Sequence, residues 1–389
     1  MQMQGLNMHG SANGSSRGGA ATSEPWHVGV LFSRTGFMSV IEETQLRGTL
    51  IAIEEINDAG GINGRPIVPI IYDPGSDVRS YGQYAKRLMV ENGVYTIFGC
   101  YTSASRKAVL PVVERLNGLL WYPTLYEGFE FSPNVLYTGA TPNQNSVQLC
   151  KMLMEQFGTR FYFVGSDYVY PRESNRVMRE LIQGNGGTVV GERYLKLEAE
   201  RSEFAPVLRD IREVQPDVIF STVVGESTTF LYQTYHDFGL NPKCLPIASL
   251  TTTEAEIRAM GFDVGEGHYT AASYFQGVQT EGNSRFVSRY RERYGEDEPT
   301  NMCLEASYFQ VNLFARALER TNSLETSLLR NSVMGAEFDA PQGAVSINPL
   351  WGHADVWARI GRVNRQGQFD IVYQSPSNVK ADPYLVSHG

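Results

Sequence analysis

Short apolar runs alternate along the chain with longer stretches whose apolar residues recur at helical spacing. Val28–Phe32 reads as a strand; Glu42–Ala59 carries Leu46, Leu50, Ile53 and Ile56 at helical spacing and stops at Gly60-Gly61. The pattern then predicts a strand at Ile67–Tyr72, a helix over Arg79–Asn92, a strand at Thr96–Cys100, and a helix over Ser103–Asn117 bent or delayed by Pro111. Strands at Leu119–Tyr122 and Val135–Tyr137 follow. After the turn-rich Thr141-Pro142-Asn143 the rhythm restarts, with strands at Phe161–Gly165, Thr188–Tyr194, Val218–Val224 and Leu245–Ala248 and helices between them. The tail differs: helices over Asn301–Arg320 and Leu324–Met334, then short strands at Gly343–Ile347, Asp355–Val363 and Phe369–Tyr373.

Strand-helix alternation with continuously apolar strands means α/β architecture, a parallel sheet covered on both faces. Two such blocks predict two doubly wound lobes, although no sequence repeat links them. Ligands of open α/β sheets sit beyond the carboxyl ends of the strands. That rule points to Ser33–Gly36, Cys100–Ser105, Tyr122–Gly128, Ser166–Pro171 and Val224–Ser227, segments rich in Tyr, Ser and Thr.

Length supports the division, since 389 residues exceed what one ordinary domain needs. The net charge of -9, without a basic run, argues against direct nucleic-acid binding. Cys100, Cys150, Cys244 and Cys303 lie far apart without metal-ligand spacing and read as buried thiols in a reducing compartment. Residues 1–25 read as a disordered leader lacking the apolar centre of a secretory signal, and no apolar run is long enough to span a membrane.

No signature of a nucleotide loop, zinc hydrolase, nucleophile elbow or dinucleotide fold is present, and the six histidines are scattered. Catalytic residues, cofactors and metals are therefore not expected. Three clusters stand at predicted strand ends instead: Gly99–Lys107, Trp121–Gly128 and Ser166–Ser174. In the first, Thr102 or Ser103 either caps the following helix or offers its hydroxyl to a ligand. In the third, Pro171 is expected to open a helix and so fix the preceding tyrosines at the edge of a cleft. Tyrosine gives an apolar wall and a hydroxyl, the mixture an uncharged amide needs. A guest of about four or five heavy atoms gains at most about -6 to -7.5 kcal/mol, which limits its dissociation constant to roughly micromolar or weaker.

The segments GCYTSASRKAVLPVVER, YPTLYEGFEFSPNVLYTGATPNQNS, GSDYVYPRESNRVMRE, VIFSTVVG, IASLTTTEAE and FDAPQGAV resemble the amide receptors of bacterial aliphatic amidase operons. They also resemble the urea- and short-chain-amide-binding proteins of ABC transporters. The resemblance runs from about Val28 to Tyr384. It implies a type I periplasmic-binding-protein fold, two doubly wound parallel-sheet lobes joined by three crossovers, placed near Thr141, Thr270 and Asp339. Residues 26–140 plus 271–338 would then form the N-terminal lobe and 141–270 plus 339–389 the C-terminal lobe. Carried over residue by residue, the implied ligand-binding set is Tyr101, Ser103, Tyr122, Thr124, Tyr168 and Tyr170, with Pro123 and Val224 as wall. Leu125 stands where the amide receptors have proline. Glu226 stands where they have a small polar residue, either to accept from a second NH₂ or to cap a helix. The resemblance further implies a cytoplasmic sensor that holds an RNA-binding antiterminator until a small amide or urea-like ligand binds, and a homodimer. The alternative is the binding subunit of a urea or amide importer, periplasmic or lipid-anchored if a signal has been removed.

Overall fold

The computed structural model describes residues 24–386. Its first elements are β1 (Trp26–Leu31), α1 (Ser39–Asp58), β2 (Ile67–Tyr72), α2 (Val78–Val90), β3 (Thr96–Gly99), α3 (Ser103–Arg115), β4 (Leu119–Tyr122) and β5 (Val135–Tyr137). These strands form an all-parallel sheet in the order β2-β1-β3-β4-β5. Every residue of β3 and β4 is buried, as expected for strands with helices on both faces. The predicted leader falls, apart from Glu24 and Pro25, outside the described residues.

The chain then builds α4 (Pro142–Gln156), β6 (Arg160–Ser166), α5 (Val169–Gly184), β7 (Thr188–Leu195), α6 (Arg201–Val214) and β8 (Val218–Thr222). It continues with α7 (Glu226–Asp237), β9 (Ile247–Ser249), α8 (Glu254–Met260), α9 (Phe262–Gly265) and β10 (Tyr269–Ala272). The parallel part of this second sheet runs β7-β6-β8-β9-β10, the same winding as the first sheet. The two lobes thus share a topology that no sequence repeat announces.

Returning to the first lobe, the chain forms α10 (Glu281–Tyr294), α11 (Met302–Thr321) and α12 (Thr326–Val333), then β11 (Glu337–Ala340), β12 (Gly343–Ile347) and β13 (Ala354–Asp355). Helix α11 packs along α1 so closely that a Cβ on Gly48 would lie 2.3 Å from the Leu304 carbonyl oxygen. The β11–β13 ribbon stays with the first sheet, because His353 bridges Tyr137 of β5 and the Tyr137 N–H donates to the Gly352 carbonyl at 2.9 Å. Only then do β14 (Arg359–Val363) and β15 (Phe369–Gln374) add antiparallel strands beside β10.

Three segments therefore cross between the lobes before β15: 138–141, 273–280 and 356–358. The first lies near the expected Thr141. The second follows β10, within which the expected Thr270 sits as a strand residue. The third replaces the expected position near Asp339, which pairs inside β11 with Ala344 of β12, so residues 339–355 belong with the first sheet.

After β15 the chain runs back along the crossovers toward the first lobe. Asn143 Nδ2 donates to the Lys380 carbonyl at 2.8 Å, and the Ala381 N–H donates to Asp355 Oδ1 at 2.8 Å. The Phe129 N–H donates to the Pro383 carbonyl at 2.8 Å, stitching this tail to the loop after β4. Cys100, Cys150 and Cys303 are buried free thiols as expected, whereas Cys244 is exposed. No helix among the described residues is long and apolar enough to cross a membrane.

Candidate functional site

The carboxyl ends of β3, β4, β6, β8 and β9 converge on one small cavity between the lobes. Its walls are Tyr101, Ser103, Thr124 and Leu125 from the first lobe and Tyr168, Tyr170, Val224 and Thr251 from the second. The void totals about 200 Å³, of which only about 10 Å³ admits the centre of a water-sized sphere. That is roughly the room of one water molecule, so the lobes are closed on a space suited to very few atoms. Larger depressions exist; one of about 500 Å³ lies further out between α1 and α8 and is edged by Arg34, Arg47, Arg258 and Glu298. It is a charged outer groove and receives none of the strand ends.

Closure is held by direct contacts across the cleft. The Glu226 N–H donates to the Phe37 carbonyl at 3.3 Å. Arg258 of the second lobe pairs with Glu298 of the first at 2.6 Å. Arg176 of α5 lies 4.9 Å over the Phe129 ring.

The Gly99–Lys107 cluster divides its two tasks. Cys100 adopts φ 71°, a left-handed conformation disfavoured for a residue with a Cβ, and this turns the chain sharply out of β3. Thr102 caps α3, accepting from the Ser105 N–H at 3.0 Å. Ser103 is thereby released from capping. Its hydroxyl donates to Glu127 and accepts from Arg106 Nη1 at 3.1 Å. The Thr124 hydroxyl donates to the Cys100 carbonyl at 3.3 Å and accepts from Gln45 Nε2 at 2.9 Å. The Thr251 hydroxyl donates to the Val223 carbonyl at 3.2 Å.

Behind Ser103 lies a buried charge network that the sequence reading did not single out. Arg106 is fully buried and pairs with Glu127 at 3.1 Å and Glu130 at 2.7 Å, while Lys107 reaches Glu130 at 2.8 Å. Burial opposes the Arg106 charge, but Tyr122, Glu127 and Glu130 alongside hold its pKa above the ordinary range. Burial likewise raises the Glu130 carboxyl, yet Arg106 and Lys107 overrule it and bring the pKa down to about 2. Two cations face two carboxylates, so no uncompensated charge reaches the cavity from this side.

The tyrosines behave differently. None of the Tyr101, Tyr168 and Tyr170 hydroxyls has a hydrogen-bond partner meeting bonding geometry among the described residues, and that of Tyr170 is also shielded from water. Ser174, one turn along α5, stands beside the Tyr170 hydroxyl without completing a bond. Burial pushes all three phenols well above their usual pKa and keeps them protonated. Tyr168 is the N-cap residue of α5, so the helix begins two residues before Pro171 rather than at it. A first-turn proline is tolerated because the N–H it lacks has no partner within the helix.

Six of the nine expected ligand residues thus meet in the cavity: Tyr101, Ser103, Thr124, Tyr168, Tyr170 and Val224. Three do not line it. Tyr122 stands one layer back, donating to the Tyr101 carbonyl at 2.8 Å beneath the Arg106 guanidinium. Pro123 is buried without reaching the space. Glu226 is exposed as the first residue of α7, where its negative charge suits the helix N-terminus, but the N-cap is Gly225 and no side chain caps the helix. Leu125 was noted only as a departure, and Thr251 was missed, although it follows a predicted strand.

The class defined by two wound lobes closing on an enclosed small-molecule space is that of two-lobed binding proteins. The chain belongs to the periplasmic binding protein family, whose model, described as "Periplasmic binding protein domain", matches residues 26–388. This is a family of binding proteins, and the chain is not an enzyme. The Leu/Ile/Val-binding protein homolog 6 of Brucella abortus is 22% identical over 298 residues, 75% of this chain and 76% of that protein. A solute-binding protein of an ABC transporter from Rhodopseudomonas palustris HaA2, solved in complex with p-hydroxybenzoic acid, has a TM-score of 0.84 at 20% identity. The match covers 93% of this chain and 99% of that one. The limonene hydroxylase of Geobacillus stearothermophilus is 30% identical over 128 residues, 33% of this chain; the chain spans only 23% of that protein's length.

Proposed function

We propose that the chain is a solute-binding protein that closes on a small uncharged amide or urea-like molecule. The observation that carries this reading is the direction of the hydrogen bonds around the cavity. Ser103, Thr124 and Thr251 have already given away their only proton and present lone pairs. Tyr101, Tyr168 and Tyr170 present O–H groups that no described residue accepts at bonding geometry, and that of Tyr170 is buried. A complementary guest carries both an acceptor oxygen and N–H donors, as amides and ureas do. A carboxylate offers no donor to the three lone pairs, and a nitrile none either. The neutralised Arg106 provides no counter-charge for an anion.

The relatives favour service to an ABC importer, in which the closed, loaded form docks on a permease outside the cytoplasm. The second reading is a cytoplasmic sensor that releases an RNA-binding antiterminator, and it rests on the quoted segments alone. A calorimetric panel of formamide, acetamide, propionamide, butyramide and urea tests the ligand class against the amino acids leucine, isoleucine and valine. Saturable binding confined to the amides and urea is expected; binding confined to the amino acids rejects the proposal. Export of the native protein and docking on a permease separate the importer from the sensor.

A further inference from the structure

A second cavity lies at the hinge, away from the interlobe space. It is bounded by the second crossover (Gln276, Gly277), the β11–β12 turn (Gln342), the third crossover (Trp357) and the β14–β15 hairpin (Arg359, Phe369). It offers about 630 Å³ to water-sized spheres, within the usual range for small-molecule sites. Arg359 is its chemical centre. Only 2% of this residue is exposed, and its guanidinium lies 4.9 Å over the Trp357 ring, yet among the described residues it forms no salt bridge with a carboxylate. Its guanidinium donates to Gln374 Oε1 at 2.8 Å, to the Gln342 carbonyl at 2.7 Å and to the Ser273 carbonyl. All three acceptors are neutral, and a guanidinium has five N–H groups. Buried charge without a partner is costly. Burial lowers the Arg359 pKa to about 10, and Glu305 and Tyr274 nearby offset only part of that cost. The nearby Glu305 is itself occupied by Gln342 and pushed up to about 8 by burial. Asp370 stands exposed at the rim, bonded to Asn364 at 2.8 Å.

We propose that this hinge cavity is a second ligand site, taking a small flat organic carboxylate with its charge on Arg359 and its body against Trp357 and Phe369. The glutamine amides around it supply further polar contacts. An occupant would touch the first lobe through Gln342, the second through Phe369, and both crossovers. Its contacts therefore differ between open and closed lobes, which is the requirement for shifting that equilibrium. This site does not depend on the amide reading of the interlobe cavity.

Benzoate is the probe, and benzamide its uncharged counterpart of the same shape. Gly277 allows a charge to be placed at the rim, because a Cβ there meets nothing closer than the Phe369 carbonyl oxygen at 3.5 Å. Calorimetry on the whole chain is expected to show saturable benzoate binding that acetamide does not displace competitively. Benzamide and the Gly277→Glu variant with benzoate should each bind roughly tenfold more weakly, and Gly277→Lys several-fold more tightly, at unchanged melting temperature. Benzoate should also perturb indole fluorescence, and Trp357→Phe should abolish that change. Absence of saturable benzoate binding, displacement by acetamide, or equal affinity in both Gly277 variants overturns the proposal. If neither acetamide nor urea binds while benzoate does, the interlobe reading falls and this one stands.

Discussion

A buried hydroxyl without a partner is a cost to the folded chain unless something else completes it. Tyr170 is such a group, and it faces the cavity. Its removal separates stability from binding. Tyr170→Phe is expected to leave stability unchanged or raise it by up to about 1–3 kcal/mol, because an unmet desolvation cost disappears. The same change should weaken amide or urea binding by about 1 kcal/mol, the net worth of one hydrogen bond. Denaturant titration and calorimetry on the same preparation check the pair; a loss of stability with unchanged affinity would assign Tyr170 to the core instead. The carboxyl-end rule, which needs only strand boundaries, points to the segments that hold the six cavity residues, while the individual residues follow from the resemblance to the amide receptors. Proton direction was not legible, because it depends on partners remote in sequence, such as Gln45 for Thr124 and Glu127 for Ser103.

Elements were legible where apolar pattern and burial coincide. β2, β4, β5 and β12 occur at the predicted residues. Reading failed where burial has another cause. The apolar pattern predicts one strand over Asp355–Val363, but Val356 and Ala358 are buried because they lie in a crossover between the lobes, and the strand proper starts at Arg359. β10 has no counterpart among the predicted strands, because a four-residue strand beside a lobe boundary carries too little pattern, and the resemblance puts a crossover near its Thr270 instead. The N-terminus of α7 yields a prediction at this scale. Gly225, its N-cap, has φ 67° and ψ -154°, a region open essentially to glycine alone. A Cβ there would also lie 2.8 Å from the Phe37 carbonyl oxygen of the opposite lobe. Gly225→Ala should cost about 1–3 kcal/mol, and much of that should fall on the closed form. Ligand affinity should therefore drop, and small-angle scattering should show a larger radius of gyration with ligand present. Unchanged affinity would remove this contact from the closing motion.

The molecule as a whole buries several carboxyls, Glu42 inside the first lobe and Glu254 and Glu305 beside the crossovers. Burial raises Glu42 to about 7, and Glu254 and Glu305 to about 8, from an ordinary 4.5. Glu254 accepts from the Gln276 N–H of the second crossover at 2.9 Å. A carboxyl whose folded pKa is raised contributes stability that is whole below its unfolded pKa and is lost as pH rises through its folded pKa. Thermal unfolding should accordingly show stability falling from about pH 4.5 to pH 8 through these groups, while the lowered Glu130 acts oppositely toward pH 2. Glu254→Gln keeps an acceptor oxygen without the ionisation, so it should flatten the decline and melt higher than the parent at pH 8. An identical profile in the variant would place the dependence elsewhere.

The tail that passes through Pro383 is bonded to the same loop that supplies Leu125 to the cavity wall and Glu127 to Ser103. Loss of the stretch through Pro383 therefore loosens the guest's chamber. A chain ended after Val379 is expected to remain folded but to bind more weakly and to be cut faster by protease within residues 125–131. Affinity handles and fluorescent reporters for this protein belong at its other end.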